Sequence, residues 1–343
     1  MAGATDTEPP RDTAPASAAA PPGSARAGAA AAPDGAVPAD RRHRLANYAT
    51  LGLLTLIWGT TWAAIRIGLR GIPPFTGVAL RFAIGAAALA VVARGLGVRL
   101  RGAARPAARA SAWRVWLANG LLTFFIPYGV LYWAEQWVPS GLAAVLFATS
   151  PLWVALAAHL ALPAERLRPA IAAGVLAGFA GVAVIFSEDL RALGGPRVAG
   201  AAALLLVAPL TSAFGVVAVK RWSAGMHPLA IVTVPMGLAA AGMGCLALAT
   251  EAGQPPRLTG LPLAALLYLA LFGSALSFAL YFWLLGRLPA TTLSLINYLT
   301  PIVALLIGSA ALGEPVTART LAGSALVVGG VAVAMRARLG HAT

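Results

Sequence analysis

The sequence predicts an all-α membrane protein with ten transmembrane helices arranged as two inverted five-helix repeats. Three observations carry this prediction: an apolar composition, ten apolar runs of spanning length, and an internal repeat with an offset near 150 residues. Hydrophobic residues make up 59% of the 343 positions, and charged residues only 10%. Soluble domains have roughly 45–50% apolar and about 25% charged residues, so this composition indicates a chain that folds in a bilayer.

The first 45 residues differ from the rest of the chain. They are rich in Ala, Pro and Gly, and their acidic and basic side chains balance. They contain no apolar stretch that would serve as a signal-peptide core. We therefore expect residues 1–45 to be a disordered cytoplasmic tail, followed by a first repeat at 46–187, a second at 197–336 and a cytoplasmic tail at 337–343.

The spans are predicted from length and hydropathy. A spanning helix needs about 20 mostly apolar residues, because it rises ~1.5 Å per residue through ~30 Å of hydrocarbon. Runs of this kind occur at 47–69, 75–93, 113–133, 140–161, 169–187, 197–219, 228–249, 261–285, 290–311 and 318–335. Turn residues such as Gly71-Ile72-Pro73-Pro74 and Gln254-Pro255-Pro256 separate them.

The basic residues predict the orientation. With the N-terminus inside, the cytoplasmic segments carry sixteen Arg or Lys residues close to the spans, and the outer loops carry five, namely Arg70, Arg191, Arg197, Arg257 and Arg319. By the positive-inside rule, both termini are cytoplasmic and the chain is a multi-pass protein of the cytoplasmic membrane. This distribution also accounts for the net charge of +14 without nucleic acid, since no basic cluster is interleaved with aromatic residues.

An internal repeat relates the two halves. Pro139 to Leu162 aligns with Pro289 to Leu312 at an offset of 150, which pairs Pro151 with Pro301. One residue later the offset becomes 149 and pairs Glu165 with Glu314 and Gly174 with Gly323. Because each unit holds five spans, an odd number, the second unit is inserted upside down relative to the first. The prolines predict paired kinks, either beside a central cavity or as packing features alone.

Several short motifs together resemble a known family. They are Trp58-Gly59-Thr60-Thr61-Trp62 followed by Arg66, Arg81-Phe82 in the second span, and two Ser/Thr-Pro segments that each end at a glutamate, Glu165 and Glu314. In order and spacing the chain resembles the EamA family of the drug/metabolite transporter superfamily over roughly residues 50–335. The sixth span departs from the pattern, with Ala213 where a second tryptophan is expected.

The resemblance implies a ten-helix bundle around a central cavity that exports small metabolites such as amino acids. The substrate-binding candidates are one cation, aromatic residues and two amides: Arg81, Trp58, Tyr128, Asn119, Trp153, Asn297 and Tyr298. The structural or gating candidates are Pro151, Pro301, Glu165, Glu314, Gly174 and Gly323. The two glutamates are interpreted as N-terminal stabilisers of the fifth and tenth helices, and the glycines as a small-residue packing face.

Arg81 leaves two interpretations open. Six residues into the second span, it either binds a substrate carboxylate or acts as an anchor that snorkels or ties neighbouring carbonyls. Glu135, at the outer end of the third span, is a solvated interface residue, a counter-ion for Arg81 or a proton acceptor. We expect no deeply buried carboxylate, so a proton relay through the bundle has little sequence support.

A secondary transporter that exports amino acids or related amphiphiles by alternating access is therefore the preferred function. The alternatives are a membrane-embedded enzyme or a non-transport scaffold. The chain has no His-Glu-x-x-His motif, acidic metal cluster or phosphate-binding loop, so we expect no enzyme activity, catalytic residue, cofactor or metal. The expected partners are the lipid bilayer and a small-molecule substrate, with a homodimer left open.

Overall fold

A computed structural model describes residues 39–100, 106–161, 169–186, 195–223, 225–285 and 296–339, and every regular element among them is helical. From His43 onward the chain forms one compact unit. The α-helices are α1 (Ala39–Gly68), α2 (Pro74–Gly95), α3 (Pro106–Asn119), α4 (Ile126–Ala134), α5 (Ser140–Phe147), α6 (Ser150–Ala161), α7 (Pro169–Phe186), α8 (Pro196–Leu205), α9 (Val207–Trp222), α10 (Pro228–Thr250), α11 (Gly260–Ala270), α12 (Ser277–Leu285), α13 (Ile296–Leu312) and α14 (Ala318–Leu339).

Helices occupy each of the ten predicted apolar segments. Seven of the described helical segments are long and apolar enough to cross a bilayer, and they include Leu45–Gly68, Pro74–Gly95 and Pro228–Thr250. Two shorter apolar stretches, Ala172–Gly181 and Leu299–Leu312, fall in the fifth and ninth predicted spans. At the N-terminus, α1 begins at Ala39, ahead of the boundary that the composition places at residue 46. The rest of the predicted tail lies outside the described residues.

Two spans contain a π-helical segment that the hydropathy pattern does not predict. Gly120–Phe125 joins α3 to α4, and Leu271–Leu276 joins α11 to α12. The two segments lie within one residue of each other after the 150-residue offset of the sequence repeat. Such segments put an extra residue into a helical turn and are frequent at functional sites. Both therefore mark equivalent places where the backbone geometry changes near the middle of a span.

The paired prolines have different local structures. The fourth predicted span is broken between α5, which ends at Phe147, and α6, which begins at Ser150 just before Pro151. Pro301, in contrast, lies inside α13, five residues after its first described residue. A threonine shortly before each proline donates a hydrogen bond from its hydroxyl to a backbone carbonyl. Thr149 donates to Leu146 and Thr300 to Ile296, both at 2.7 Å. The predicted paired kinks thus correspond to a helix break only at Pro151.

Helices α7 and α14 pack through glycines, as the small-residue faces predict. A methyl group added to Gly181 would lie 2.6 Å from the carbonyl oxygen of Gly323, and one on Gly330 would lie 2.5 Å from that of Gly174. The backbones are therefore in direct contact at two places. Because the earlier residue of α7 meets the later residue of α14, the two helices run antiparallel.

Helices α2 and α10 form a second antiparallel pair. Gly85 of α2 approaches Met236 of α10, where an added methyl would lie 3.0 Å from the sulfur. The start of α2 lies beside the residue after α10, because Glu251 accepts hydrogen bonds there from Phe75 and Thr76. Each antiparallel pair joins a helix of the first sequence repeat to the corresponding helix of the second.

Candidate functional site

Arg81 is fully buried and bonded to groups of the eighth predicted span. Its side chain is 1% exposed. The Nε atom donates to Ser274 Oγ at 2.7 Å, Nη2 donates to the Gly273 carbonyl at 3.2 Å, and Nη1 donates to the Tyr132 hydroxyl at 3.2 Å. Of the two anchor interpretations, snorkelling is therefore wrong in this arrangement, while bonding to a neighbouring helix is observed. Three of the five guanidinium donors are used in these bonds.

Aromatic rings surround the Arg81 guanidinium and extend from it toward α1. Its Cζ atom lies 4.9 Å from the Tyr128 ring centroid and 5.7 Å from that of Phe82, distances that permit cation–π attraction. Ring contacts then continue from Phe82 to Phe124 at 5.4 Å, to Phe278 at 5.0 Å and to Trp58 at 5.7 Å. We call this set the aromatic cluster: Trp58, Phe82, Phe124, Tyr128, Phe278 and Tyr281.

The aromatic cluster lies where the two sequence repeats meet. Four of its members come from the first repeat, and Phe278 and Tyr281 come from α12 of the second. The glycine of the Trp-Gly-Thr-Thr-Trp motif has a role beside it, because Val303 of α13 occupies the space that a Cβ of Gly59 would need. Within this motif, Trp58 contacts the aromatic cluster, and Gly59 allows close contact between α1 and α13.

Asn119 bonds to a carbonyl that a proline leaves without its helical donor. Pro235 of α10 has no N–H, so the carbonyl of Ile231, four residues earlier, cannot make its normal helical bond. Asn119 Nδ2 donates to that carbonyl at 2.8 Å, and Gly120 packs against the Pro235 backbone. The predicted substrate amide is thus engaged in holding α10 against the π-helical segment.

The two π-helical segments make related contacts with the α2–α10 pair. Arg81 of α2 donates to Gly273 and Ser274, within the segment Leu271–Leu276. Pro235 of α10, which the sequence repeat aligns with Arg81 at an offset of 154, contacts Gly120 at the start of the other segment. Equivalent positions therefore contact equivalent segments, with an arginine on one side and a proline on the other.

The remaining substrate candidates do not join the aromatic cluster in the described residues. Trp153 contacts Phe179 with ring centroids 4.8 Å apart and packs with Ala157, Ala213 and Val217. Ala213, the departure from the family pattern, therefore lies beside a tryptophan of another helix. The indole Nε1 of Trp153 is buried without a hydrogen-bond acceptor among the described residues. The side chains of Asn297 and Tyr298 lie outside the part that the structure describes.

Two glutamates of the second repeat cap helices of the first. The backbone N–H and hydroxyl of Ser140 each donate to Glu314 at 2.8 Å, and the Gly141 N–H donates at 3.2 Å. Likewise, Phe75 and Thr76 donate backbone N–H groups to Glu251 at 2.8 Å. Both carboxylates thus lie at the exposed donors and positive dipole end of a helix.

These contacts correct the interpretation of Glu314. The sequence assigned it to the N-terminus of the following helix, α14, whereas it caps α5, which lies 174 positions earlier in the chain. The reason is the tertiary fold, which brings the end of α13 to the start of α5. Glu165, its sequence equivalent, lies outside the described residues. We call the end of the molecule that carries Glu135, Glu251 and Glu314 the carboxylate face.

Glu135 is a buried carboxylate on that face, contrary to the expectation that no such group exists. Its side chain is 0% exposed, and neither carboxylate oxygen accepts a hydrogen bond from any residue that the structure describes. Arg66 of α1 lies nearby, because its Nη1 donates to the Glu135 backbone carbonyl. The solvated-interface interpretation of Glu135 is therefore wrong in this arrangement.

Sequence reasoning missed several of these residues, some of which left a signal. Phe124, Tyr128 and Tyr132 are spaced four apart and so lie on one helical face, which indicates a shared environment. In contrast, Ser274 and Glu251 carry no local pattern that distinguishes them from other residues at span ends or middles. Their roles depend on which distant helix packs beside them.

Together, the apolar helices, the buried arginine among aromatic rings and the contacts between two repeats define a multi-pass helical membrane protein with a polar site inside the bundle. The sequence profile of the EamA-like transporter family matches the chain twice, at residues 48–187 and 199–336. The chain belongs to this family.

Individual relatives agree with this assignment. The uncharacterized inner membrane transporter YedA of Escherichia coli is 32% identical over 282 residues, which cover 80% of this chain and 85% of the relative. A probable terminal-alkyne amino-acid exporter of Streptantibioticus cattleyicolor is 31% identical over 306 residues, which cover 85% and 94%. A crystal structure with 24% sequence identity and a TM-score of 0.62 covers 87% of this chain and 99% of its own, and it shares the fold.

Proposed function

We propose that this protein is a secondary transporter that exports small, partly apolar metabolites, amino acids or their relatives, by alternating access. The observation that carries the proposal is Arg81, a buried cation that bridges the two repeats and is surrounded by the aromatic cluster. A charge in this position is costly in a membrane and is retained where it serves a function. Membership of a transporter family supports the same class of activity.

The proposed architecture is ten spans in two inverted units. It is supported by the two family matches, by helices in each of the ten apolar segments and by the antiparallel pairs α2–α10 and α7–α14. Two corresponding helices that pack antiparallel are expected beside the pseudo-two-fold axis of an inverted repeat. In this proposal both termini are cytoplasmic, so the carboxylate face is external.

The substrate class follows from the chemistry around Arg81. A guanidinium can bind a carboxylate with two parallel bonds, and Tyr128, Phe82 and Trp58 offer apolar and aromatic surface. This combination suits a zwitterionic or weakly anionic amphiphile better than a sugar or a cation. The printed name of the Streptantibioticus cattleyicolor relative, an amino-acid exporter, supports this substrate class.

Arg81 is proposed to alternate between two sets of partners. In the described arrangement it bonds to Ser274 and Gly273 and joins α2 to the eighth span. Substrate binding would replace part of this set with a carboxylate, so that the link between the repeats weakens as the cavity fills. The substrate and anchor interpretations of Arg81 are then two states of one cycle.

The glutamate caps are proposed to close the external side. Glu251 and Glu314 belong to the second repeat, and the helix starts that they cap belong to the first. Opening the carboxylate face separates the repeats there and breaks both caps. Each cap contributes about 0.5–2 kcal/mol, which is enough to bias the equilibrium between a closed and an open face without preventing exchange.

The proposed function is tested in cells by overexpression of the full chain. We expect lower intracellular amino-acid pools and higher resistance to toxic amino-acid analogues than in cells that carry the Arg81→Ala variant at equal membrane abundance. Unchanged pools and resistance would contradict export of this substrate class. A membrane-embedded enzyme would instead alter the analogues chemically, which mass spectrometry of the medium detects.

A further inference from the structure

The Glu135 carboxyl is an ionisable group near the site whose burial the proposed function does not explain. It follows α4 directly, one residue beyond the third span, and its two oxygens are buried without a hydrogen-bond donor in the described part of the chain. Other buried carboxylates on this face are satisfied: Glu251, 7% exposed, accepts bonds from Phe75 and Thr76. Glu135 therefore differs from Glu251, because its carboxylate oxygens are buried without a hydrogen-bond donor among the described residues.

The charged and titratable groups around Glu135 come from four elements. Arg66 approaches from α1, Arg81 from α2 and Glu314 from the segment after α13. Tyr132, in the last turn of α4, lies three positions before Glu135, and its hydroxyl accepts a bond from Arg81. The Arg66 guanidinium bonds to the backbone carbonyl of Glu135 and Arg81 to three other groups, so neither arginine donates to its carboxylate.

Burial of this kind favours the neutral carboxyl. An ionised carboxylate removed from water without donors carries a large desolvation cost, which the group avoids by keeping its proton. Burial accordingly raises the pKa of Glu135 well above its usual range; the guanidinium of Arg66 opposes this effect, the carboxylate of Glu314 adds to it and Arg81 opposes it. The proton is thus bound when the carboxylate face is closed.

We propose that Glu135 is a proton-binding site through which the pH outside the carboxylate face controls the closure of that face. The inference rests on the proposed function, because it assigns a pH-dependent step of that transport cycle. When the carboxylate face opens, water reaches Glu135 and the carboxyl exchanges its proton with that water, leaving a carboxylate and a hydronium ion. When the face closes, only the protonated form is buried without a large cost.

The link to the substrate site runs through Arg81. Tyr132 and the C-cap residue Glu135 are three positions apart, and the backbone of Glu135 is still helical, so their side chains lie on the same side of α4. An ionised Glu135 attracts the Arg81 guanidinium and weakens its bonds to Ser274 and Gly273, whereas a neutral Glu135 leaves those bonds intact. Protonation therefore favours the arrangement in which Arg81 joins α2 to the eighth span and is withdrawn from substrate.

The proton site is tested without any substrate, by infrared titration of the full chain in lipid nanodiscs. The carbonyl stretch of a protonated carboxyl is expected to persist at neutral pH in the wild type and in the Glu251→Gln control, and to disappear in Glu135→Gln. Glu135→Asp should retain the band at a shifted frequency. Absence of the band in the wild type, or its survival in Glu135→Gln, would overturn the proposal.

The pH dependence is tested in proteoliposomes with a mixture of radiolabelled proteinogenic amino acids as the probe. Alkaline pH should slow amino-acid flux several-fold in the wild type and in the tail variant Glu8→Gln, because an ionised Glu135 resists burial, whereas Glu135→Gln should exchange amino acids at a rate that does not change with pH. An equal response in Glu135→Gln would overturn the gating role and leave the transport function intact. Absence of flux in the wild type would instead overturn the proposed function, whatever the infrared band shows.

Discussion

Arg81 and Ser274 are joined by a 2.7 Å hydrogen bond, although 193 positions separate them in the chain. The bond connects the second predicted span to the π-helical segment of the eighth, inside the bundle. A helix with regular hydrogen bonding offers few free acceptors to a guanidinium. The π-helical segment changes the backbone geometry at Gly273 and Ser274, and both residues accept a bond from Arg81.

Substitution of Arg81 is expected to separate its two roles. Arg81→Ala leaves Ser274 and the Gly273 carbonyl buried without their donor, which should cost about 1–3 kcal/mol of stability and lower the melting temperature in detergent. Arg81→Lys keeps the charge but lacks the planar fork, so folded protein should be near normal while flux falls. Arg94→Ala, exposed on the last turn of the same helix, is the matched control. Normal melting and flux in both Arg81 variants would eliminate both roles.

The glycine contacts between α7 and α14 provide a stability test with an adjacent control. A methyl at Gly330 meets the Gly174 carbonyl at 2.5 Å, whereas a methyl at Gly329 meets nothing within 4 Å. Gly330→Ala should therefore lower the thermal midpoint, with a cost of about 1–3 kcal/mol as in other overpacked interfaces. Gly329→Ala should leave it unchanged or slightly raised, because alanine favours a helix. Equal midpoints for the two variants would contradict the contact.

The glutamate caps predict how the carboxylate face opens. Val138, which is fully buried beside the α5 cap, is replaced by cysteine in a Cys245→Ser background, because Cys245 is exposed. Glu314→Ala should then increase labelling of Val138→Cys by a membrane-impermeant maleimide, by up to tenfold for a cap of about 1.4 kcal/mol. Glu8→Ala, in the N-terminal tail, is the control. Unchanged labelling would argue against a gating role for the cap.

The arginine distribution predicts the topology of the chain. Reporter fusions after Arg109 and Arg338 should be cytoplasmic, and fusions near Leu193 and Gln254 should be external. Removal of residues 1–38 should leave insertion unchanged, because Arg41, Arg42 and Arg44 still precede the first span. A cytoplasmic reporter at Leu193 would contradict the ten-span arrangement.

Features with a local cause were predictable from the sequence. Helix positions follow from apolar length, and the glycine faces of α7 and α14 follow from small residues spaced along one side of a helix. The position of Arg81 six residues into the second span was predicted as well, because it is a matter of counting residues, whereas its burial was left open beside snorkelling. Its partners were not, since the π-helical segment that presents Ser274 leaves no mark on hydropathy.

Contacts made across the chain were mispredicted or missed. Glu314 was assigned to the helix that follows it, because sequence order offers no other partner, yet the fold places it on Ser140. Solvation was one interpretation of Glu135 because it follows a span, whereas its burial depends on the tertiary fold, in which Arg66 of α1 bonds to its backbone carbonyl. Residues at span ends are therefore the ones for which tertiary packing decides the role.

The most direct test of transport by alternating access is counterflow in proteoliposomes. Vesicles that contain the full chain and a high internal concentration of unlabelled amino acids are diluted into a trace of the same labelled mixture. Alternating access predicts a transient accumulation of label above equilibrium that is absent in empty liposomes and strongly reduced by Arg81→Lys. Passive equilibration at the rate of empty liposomes, with correctly folded protein present, would contradict it.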